Sequence, residues 1–131
     1  METLRVKDVM TRKVITASMD SSVKKVASLM TKHKIGGVII VNREGKPVGI
    51  ITERDIVEKV VSKGRSSART KAKEIMSSPL HTIEPNKTLL EAMKSMRNFG
   101  IRRLPVMEKG KLKGIVTSRD ILRVAPSLIE V

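Results

Sequence analysis

An internal repeat constrains the fold of this chain more than any other feature of its sequence. The stretch VKDVMTRKVITASMDSSVKKVASLM, which begins at Val6, aligns with AKEIMSSPLHTIEPNKTLLEAMKSM, which begins at Ala72. After a one-residue shift, GKPVGIITERDI aligns with GKLKGIVTSRDI. So many matches in one order indicate a tandem duplication. Copies this short cannot close a core alone, so we expect them to pack face to face with pseudo-two-fold symmetry.

Both copies share one pattern of predicted secondary structure. A helical turn near Lys7–Met10 precedes a strand-like segment at Val14–Thr16, and apolar residues then recur at helical spacing. Two β-branched runs follow, joined by a hairpin-turn composition at residues 42–46, and a second helix is predicted from Glu53 to about Val61. Copy two repeats the pattern up to a last helix over Ser118–Val124. The predicted unit is β-α-β-β-α, which indicates a mixed α/β (α+β) fold.

Apolar stripes and cap residues define the first helix of each copy. Asp20 and Asn86 precede these helices and are predicted N-caps. The predicted stripes are Val23, Val26, Ala27 and Met30 in copy one, and Leu89, Ala92, Met93 and Met96 in copy two.

Composition sets the boundaries of the copies and excludes several classes of protein. Residues 63–71 are small, polar and basic, and are therefore predicted to link copy one (residues 1–62) to copy two (residues 72–131). The 27 Lys and Arg against 13 Asp and Glu give a net charge of +14, which points to phosphate-bearing partners. The absence of Cys excludes disulfides and suits a cytoplasmic protein. No apolar run approaches the length of about 20 residues that a membrane span needs.

Each copy ends in Gly-hydrophobic-hydrophobic-Thr-x-x-Asp, and this repeated unit resembles the CBS domain, named after cystathionine β-synthase. The motif lies at residues 49–55 and 114–120, and Val9-Met10, Ile75-Met76 and the segment IRRLPV at residues 101–106 support it. The resemblance covers Val6 to Val124 and implies a tandem CBS pair. Such a pair is a regulatory, non-enzymatic module that binds adenosine derivatives (AMP, ADP, ATP or S-adenosyl compounds) in clefts between its copies, with no required cofactor. It also implies a homodimer that acts on an unidentified regulated protein.

The resemblance gives a role to the Thr and the Asp of each motif. Thr52 and Thr117 would donate to phosphate where a helix begins, and Asp55 and Asp120 would accept the hydroxyl protons of a ribose. The adenine would lie between the segment before the first helix and the middle strand. The ligand-binding residues so implied are Ile15, Thr16, Ile35, Gly36, Gly37, Val38, Thr52, Arg54 and Asp55 in copy one, and Leu80, His81, Thr82, Ile101, Arg102, Arg103, Leu104, Thr117, Arg119 and Asp120 in copy two.

Each of these assignments has a structural alternative. Thr-x-x-Asp before an apolar run is also a capping box, and the two roles are compatible because a cap residue can face a cleft. Arg102 and Arg103 provide guanidinium groups for phosphate or form a solvated basic strand edge. Gly36 and Gly37 allow a ligand to approach the backbone, or mark a bulge or a tight strand entry. Since only copy two has the arginines, the Asp120 site is predicted to be the stronger one for a phosphorylated ligand.

The remaining polar residues indicate neither a metal site nor catalysis. His33 is predicted at the edge of the core, and two His without Cys lack the spacing of metal ligands. The Met residues at core-type positions indicate packing. No nucleophile–base pair, Walker loop or carboxylate pair is present, so we expect no enzyme. The alternative function is weak, non-specific nucleic-acid binding through Lys and Arg, although the sequence has no groove-reading helix and almost no aromatic residues.

Overall fold

The fold alternates helices and strands, which confirms the mixed α+β class. A computed structural model describes residues 4–129 of the chain, with side chains up to residue 126. Its elements in chain order are α1 (Val6–Val9), β1 (Thr16–Ser18), α2 (Val23–His33), β2 (Gly37–Val41), β3 (Pro47–Thr52), α3 (Glu53–Ile56) followed directly by a π-helix (Val57–Val61), α4 (Ala72–Ile75), α5 (Leu89–Phe99), β4 (Arg103–Glu108), β5 (Lys111–Thr117) and α6 (Ser118–Ile129). The last helix is thus longer than the predicted Ser118–Val124.

The chain folds into two compact units, and the boundaries of these units differ from the boundaries of the two repeated copies. The central unit contains residues 15–80, and the terminal unit contains residues 4–14 together with residues 81–129. The first residues of each copy therefore pack with the other copy's strands. Thr11 forms an antiparallel bridge with Ile115 in the terminal unit, and Ser77 forms the equivalent bridge with Ile50 in the central unit.

The central unit contains a three-stranded sheet in the order β1-β2-β3. Strand β1 runs parallel to β2, and β3 runs antiparallel to it with Gly37 opposite Thr52. The hairpin between β2 and β3 is closed by the predicted turn, because the Asn42 side chain accepts from the backbone amides of Glu44 and Lys46. Thr52, the last residue of β3, is also the N-cap residue of α3.

The terminal unit has only two named strands, β4 and β5, in an antiparallel pair. Because copy two repeats the pattern of copy one, its first strand is predicted at residues 80–82. That prediction is wrong, since only an isolated parallel bridge between Ile83 and Val106 is formed near this segment. In the central unit the amide of Ile39 donates to the carbonyl of Ile15 at 3.3 Å. The residue that corresponds to Ile39 is Pro105, which has no amide proton, so the corresponding bond cannot form.

The apolar stripes of α2 and α5 face separate hydrophobic cores, one in each unit. On α5, Leu89, Ala92 and Met96 are buried as predicted, whereas Met93 is 39% exposed and does not belong to the core. The core of the central unit is formed by Ala17, Val23, Val26, Met30, Val38, Ile40, Ile51, Val60, Ala72 and Ile75. The core of the terminal unit is formed by Val6, Ile83, Leu89, Ala92, Met96, Leu104, Val106, Val116 and Ile121.

Asp20 and Asn86 are not the helix caps, so that prediction is wrong. Each helix begins two residues later than predicted, because Ser22 accepts from the amide of Lys25 and Thr88 accepts from the amide of Glu91. Thr88 and Glu91 form a full capping box. The hydrogen bond from the Thr88 amide lowers the pKa of the Glu91 carboxyl from its ordinary value.

Residues 63–71, predicted to link the copies, fold against the central unit. The carbonyls of Ser67 and Thr70 accept from the amides of Lys24 and Val23, which are the first two amides of α2. Because the first amides of a helix have no partner within it, this segment completes the N-terminus of α2. The Thr70 side chain is buried, while residues 63–69 are exposed.

We expect Gly114→Ala to destabilise the chain more than Gly49→Ala does. A Cβ at Gly114 would lie 2.8 Å from the backbone carbonyl oxygen of Thr11 and 2.8 Å from the sulfur of Met10. A Cβ at Gly49 would meet only the side chain of Met76, which can move. Overpacking against a fixed backbone costs about 1–3 kcal/mol, so denaturant unfolding should show a loss of that size for Gly114→Ala alone. Equal losses for the two variants would contradict this account.

Candidate functional site

Asp120 and Thr117 form a reciprocal pair where β5 ends and α6 begins in the terminal unit. The amide of Thr117 donates to Oδ2 of Asp120 at 2.9 Å, and the amide of Asp120 donates to the Thr117 hydroxyl at 3.1 Å. The predicted capping box is therefore formed. The only other partner of the Asp120 carboxylate among residues 4–126 is Arg123, whose guanidinium lies 3.5 Å from Oδ1 and whose side chain is 69% exposed. Asp120 is buried but retains acceptor capacity.

Basic side chains lie next to this pair in the terminal unit. Arg103 is opposite Thr117 in the β4–β5 register and is partly buried, whereas Arg102 is exposed. The carbonyl of Arg102 accepts from the amide of Ser118 at 2.8 Å, which fixes the start of β4 beside the start of α6. Arg119, one residue before Asp120, is exposed. The predicted set of Arg102, Arg103, Thr117 and Asp120 is thus assembled at one end of the β4–β5 hairpin.

The segment predicted to contact adenine in copy two has an aromatic partner. His81 and Phe99 stack with ring centroids 3.8 Å apart and an angle of 15° between the rings. Both side chains are exposed, as is Thr82, while Ile101 is partly buried and Leu104 is fully buried in the core. Leu80 is partly buried and is the last residue of the central unit.

The equivalent carboxylate in the central unit, Asp55, is more completely engaged. Oδ2 of Asp55 accepts from the Thr52 amide at 2.9 Å and from the Thr52 hydroxyl at 3.2 Å, and the Asp55 amide donates back to that hydroxyl. Oδ1 accepts from the Ser77 hydroxyl at 3.3 Å and forms an ion pair with Lys59 at 3.0 Å. Lys59 and Ser77 contact Asp55 but are not among the site residues predicted from the sequence. Lys59 could have been found four residues after Asp55 on the same helical face.

The glycine pair of copy one marks the entry to a strand. The carbonyl of Gly36 accepts from the amide of Glu53 at 3.1 Å, and Gly37 is the first residue of β2. The register irregularity of this hairpin lies between Ile40 and Val41, so the bulge interpretation of the glycines is wrong. Of the other residues predicted in this site, Thr16 is exposed, Ile15 and Ile35 are partly buried, and Val38 is fully buried.

Arg54 differs from its counterpart Arg119 in being paired with an acid. Its Nε donates to Oε1 of Glu58 at 2.7 Å, one helical turn away. This hydrogen bond raises the pKa of the Arg54 guanidinium above its ordinary value, with the charge of Glu58 adding to the effect. The residue that corresponds to Glu58 in copy two is Arg123, so the two sites differ in local charge.

The other polar candidates lie away from these pairs. His33 is exposed at the end of α2, so its predicted place at the core edge is wrong. Within residues 4–129 no group of three or more His, Asp or Glu side chains is placed to hold a metal ion. No helix in that part of the chain is long and apolar enough to span a bilayer.

Comparison with known proteins gives a family match over most of the chain. A model of the CBS domain matches residues 6–62 and residues 72–127. A protein of Methanopyrus kandleri is 47% identical over 130 residues, which cover 98% of this chain and 66% of that protein. The CBS domain-containing protein YhcV of Bacillus subtilis is 37% identical, with 88% of this chain and 81% of that protein covered. A Methanocaldococcus jannaschii relative, 35% identical, is covered over only 32% of its length.

Solved structures of similar proteins share the fold over nearly the whole chain. A protein with CBS domains from Burkholderia ambifaria has a TM-score of 0.91 at 29% identity, with 98% of both chains covered. The CBS domain pair of protein MJ0100, solved in complex with 5′-methylthioadenosine and S-adenosyl-L-methionine, has a TM-score of 0.86 at 29% identity and covers 97% of this chain and 99% of that one. A hexameric CBS-CP12 protein from bloom-forming cyanobacteria has a TM-score of 0.88 at 31% identity, with 97% of this chain and 75% of that one covered.

Proposed function

This chain belongs to the CBS domain family, and we propose on that basis that it binds an adenosine-containing ligand at the Asp120 site. The ligand class is AMP, ADP, ATP or an S-adenosyl compound. The observation that carries the proposal is the state of Asp120, a buried carboxylate whose Oδ1 has one described partner, an exposed arginine at 3.5 Å. The MJ0100 pair, a neighbour of similar fold, holds two adenosine derivatives.

The residues around Asp120 suit the parts of a nucleotide. The two hydroxyls of a ribose would donate to the Asp120 carboxylate, as they do to acidic residues in dinucleotide-binding folds. The Thr117 hydroxyl accepts from the Asp120 amide, and no acceptor for its own proton is found among residues 4–126, so it can donate to a phosphate oxygen. Arg102 and Arg119, which are both exposed, lie beside it and can pair with phosphate.

Adenine would lie against residues 81–82 and the start of β4, which all belong to the terminal unit. Ile101 provides apolar surface there, and the exposed His81–Phe99 stack provides an aromatic face. Aromatic rings prefer offset stacking, which a purine can continue.

The module would act by ligand-dependent regulation and without catalysis. A ligand shifts a conformational equilibrium only by its difference in affinity for the two states, so the effect on an unidentified regulated protein depends on that difference. Such a difference in affinity would arise if Lys and Arg side chains lie closer together in one state than in the other, because the ligand's phosphate then neutralises more repulsion in that state. We place this function in the cytoplasm, because a chain without Cys suits a reducing compartment.

A thermal-shift screen tests the proposal. A ligand that binds only the folded chain stabilises it by about 2.7 kcal/mol at a hundredfold excess over Kd, which corresponds to a shift of several degrees. We expect at least one of AMP, ADP, ATP and S-adenosylmethionine to raise the melting temperature at sub-millimolar concentration. If none of the four changes it at millimolar concentration, the adenosine proposal is wrong.

We also propose that the chain forms a homodimer. Its helices expose large apolar side chains in both units, including Val57 and Val61 in the central unit and Leu90 and Leu122 in the terminal unit. Exposed apolar surface of this kind is typical of interaction sites. Light scattering of the full chain should give the mass of a dimer, and the mass of a monomer or a hexamer would contradict the proposal.

Polyanion binding is the alternative function, favoured by the net charge of +14 and by the exposed basic stretch at residues 63–69. Arg65 is already paired with Glu74, which reduces the charge available there. We expect duplex DNA to bind weakly, without sequence preference, and with an affinity that falls steeply as salt increases.

Replacing Lys63, Arg65, Arg69 and Lys71 by Gln should reduce the salt dependence of DNA binding. The slope of log association constant against log salt concentration should become shallower by about 0.9 for each phosphate that is no longer neutralised. Nucleotide affinity should change much less, because these residues lie outside the Asp120 site. Binding to duplexes of different sequence over a salt series measures both effects. Tight, sequence-selective binding at physiological salt would make nucleic-acid recognition the better account.

A further inference from the structure

The acceptor sites of the Asp55 carboxylate are filled by the chain itself. Its two oxygens receive the Thr52 amide, the Thr52 hydroxyl, the Ser77 hydroxyl and the Lys59 ammonium group, at 2.9 to 3.3 Å. An ionised carboxylate has about four lone-pair sites. A ribose diol needs two of them, so a nucleoside can reach Asp55 only by displacing donors that are already in place.

Lys59 is held on two sides, which makes its ammonium group harder to displace than a side chain with a single partner. Besides its ion pair with Asp55, its Nζ donates to the carbonyl of Ile75 at 2.9 Å, and its side chain is 40% exposed. Ser77, two residues after Ile75, is fixed by its backbone bridge to Ile50. The ammonium group therefore connects the π-helix to the last residue of α4.

The terminal unit lacks this arrangement at the equivalent place. The residue four positions after Asp120 is Val124, where copy one has Lys59. The charged neighbour of Asp120 is instead Arg123, at 3.5 Å and largely exposed. A contact of that length on an exposed side chain is weak, because solvent screens it and the side chain can move away. Asp120 therefore keeps about two acceptor sites that a ribose can use.

We propose that Lys59 is an intramolecular occupant of the copy-one site. By filling Asp55 it excludes a ribose there, so that one chain binds a single nucleoside ligand, at Asp120. This inference rests on the proposed adenosine-binding function. It specifies that the Asp120 site is open and that Lys59 closes the Asp55 site.

Calorimetric titration of the full chain with AMP, and separately with S-adenosylmethionine, tests the inference. Wild type should bind one equivalent per chain. Lys59→Val, which copies Val124, should bind a second equivalent, because hydrogen bonds to charged groups correspond to about a tenfold to a hundredfold change in affinity. Lys59→Met keeps the apolar stem without the charge and serves if the Val variant does not fold. Two equal sites in wild type, or one site in every Lys59 variant, would overturn the proposal.

The reciprocal variant and a ligand-free measurement separate this inference from the proposed function. Val124→Lys should weaken binding at Asp120 by a similar factor, since it recreates the Lys59 arrangement. Without any ligand, hydrogen exchange at the Ile50 and Ser77 amides should be several-fold faster in Lys59→Met than in wild type, because the segment from Ile75 to Ser77 loses one attachment. Equal exchange rates would show that Lys59 does not hold that segment. Absence of AMP and S-adenosylmethionine binding in all variants would instead contradict the adenosine function.

Discussion

Asp120→Asn is expected to lower the affinity for AMP by about tenfold to a hundredfold and to change the melting temperature of the free chain little. A hydrogen bond to a charged acceptor contributes about 1.5–3 kcal/mol, and each 1.4 kcal/mol corresponds to a factor of ten in Kd. The Asn side-chain oxygen can still accept from the Thr117 amide, which the Asp120 carboxylate now does at 2.9 Å. Calorimetry measures the affinity, and thermal unfolding of the free variant measures the stability.

Asp55→Asn is the matched control, because it changes the same motif in the other copy. We expect its effect on AMP affinity to be small, since the Asp55 oxygens are occupied by Thr52, Ser77 and Lys59. If Asp120→Asn lowered stability by about 1 kcal/mol and left affinity unchanged, Asp120 would be only a cap residue. An affinity loss at Asp55 equal to or larger than that at Asp120 would reverse the ranking of the sites.

Asp55→Ala should lower the free energy of unfolding by about 2–3 kcal/mol, and Asp120→Ala by only about 1 kcal/mol. Asp55 accepts two bonds from Thr52, one from Ser77 and an ion pair from Lys59, so its removal leaves donors of three residues without their acceptor. Asp120 loses the Thr117 amide bond and a long contact to Arg123.

The partial exposure of Lys59 reduces the expected loss below that of a fully buried ion pair. Denaturant unfolding of the two alanine variants, analysed with a common m-value, measures the difference. Comparable losses in the two variants would contradict the view that the Asp55 carboxylate is mainly structural.

The duplication makes much of the fold predictable. Repeated apolar stripes predict α2 and α5, the Asn42–Lys46 composition predicts the turn of the first hairpin, and each Thr-x-x-Asp predicts a helix start. The resemblance to the CBS domain, seen in the same repeated motif, is confirmed by the family match over both copies. Local periodicity and local turn chemistry are sufficient for these features because the contacts involved are only a few residues apart.

Non-local contacts limit the remaining predictions. Alignment of the copies assumes that they fold alike, so it predicts a strand at residues 80–82 although Pro105 removes one of its hydrogen bonds. The first residues of each copy pack with the other copy's strands, as the bridges Ser77–Ile50 and Thr11–Ile115 show. The residues of each bridge are far apart in sequence, so the periodicity of apolar residues does not predict this exchange. The role of Lys59 follows from this exchange, because its second partner is the carbonyl of Ile75.

The Thr88–Glu91 capping box was predictable, because the signature Thr-x-x-Glu is local. Residue type alone favours Asn86 instead, although Asn86 lies two residues before the actual cap. A strict search for Ser or Thr followed three residues later by Glu would have found the correct start of α5.

Titration of isotope-labelled chain with AMP, ATP and S-adenosylmethionine, followed by amide NMR shifts, tests the central claim most directly. The account predicts saturable shifts at Arg102, Arg103, Thr117 and Asp120, at sub-millimolar concentration of at least one ligand, with Thr52 and Asp55 unaffected. Shifts confined to the basic stretch at residues 63–71, or no saturable shift with any of the three ligands at millimolar concentration, would contradict it.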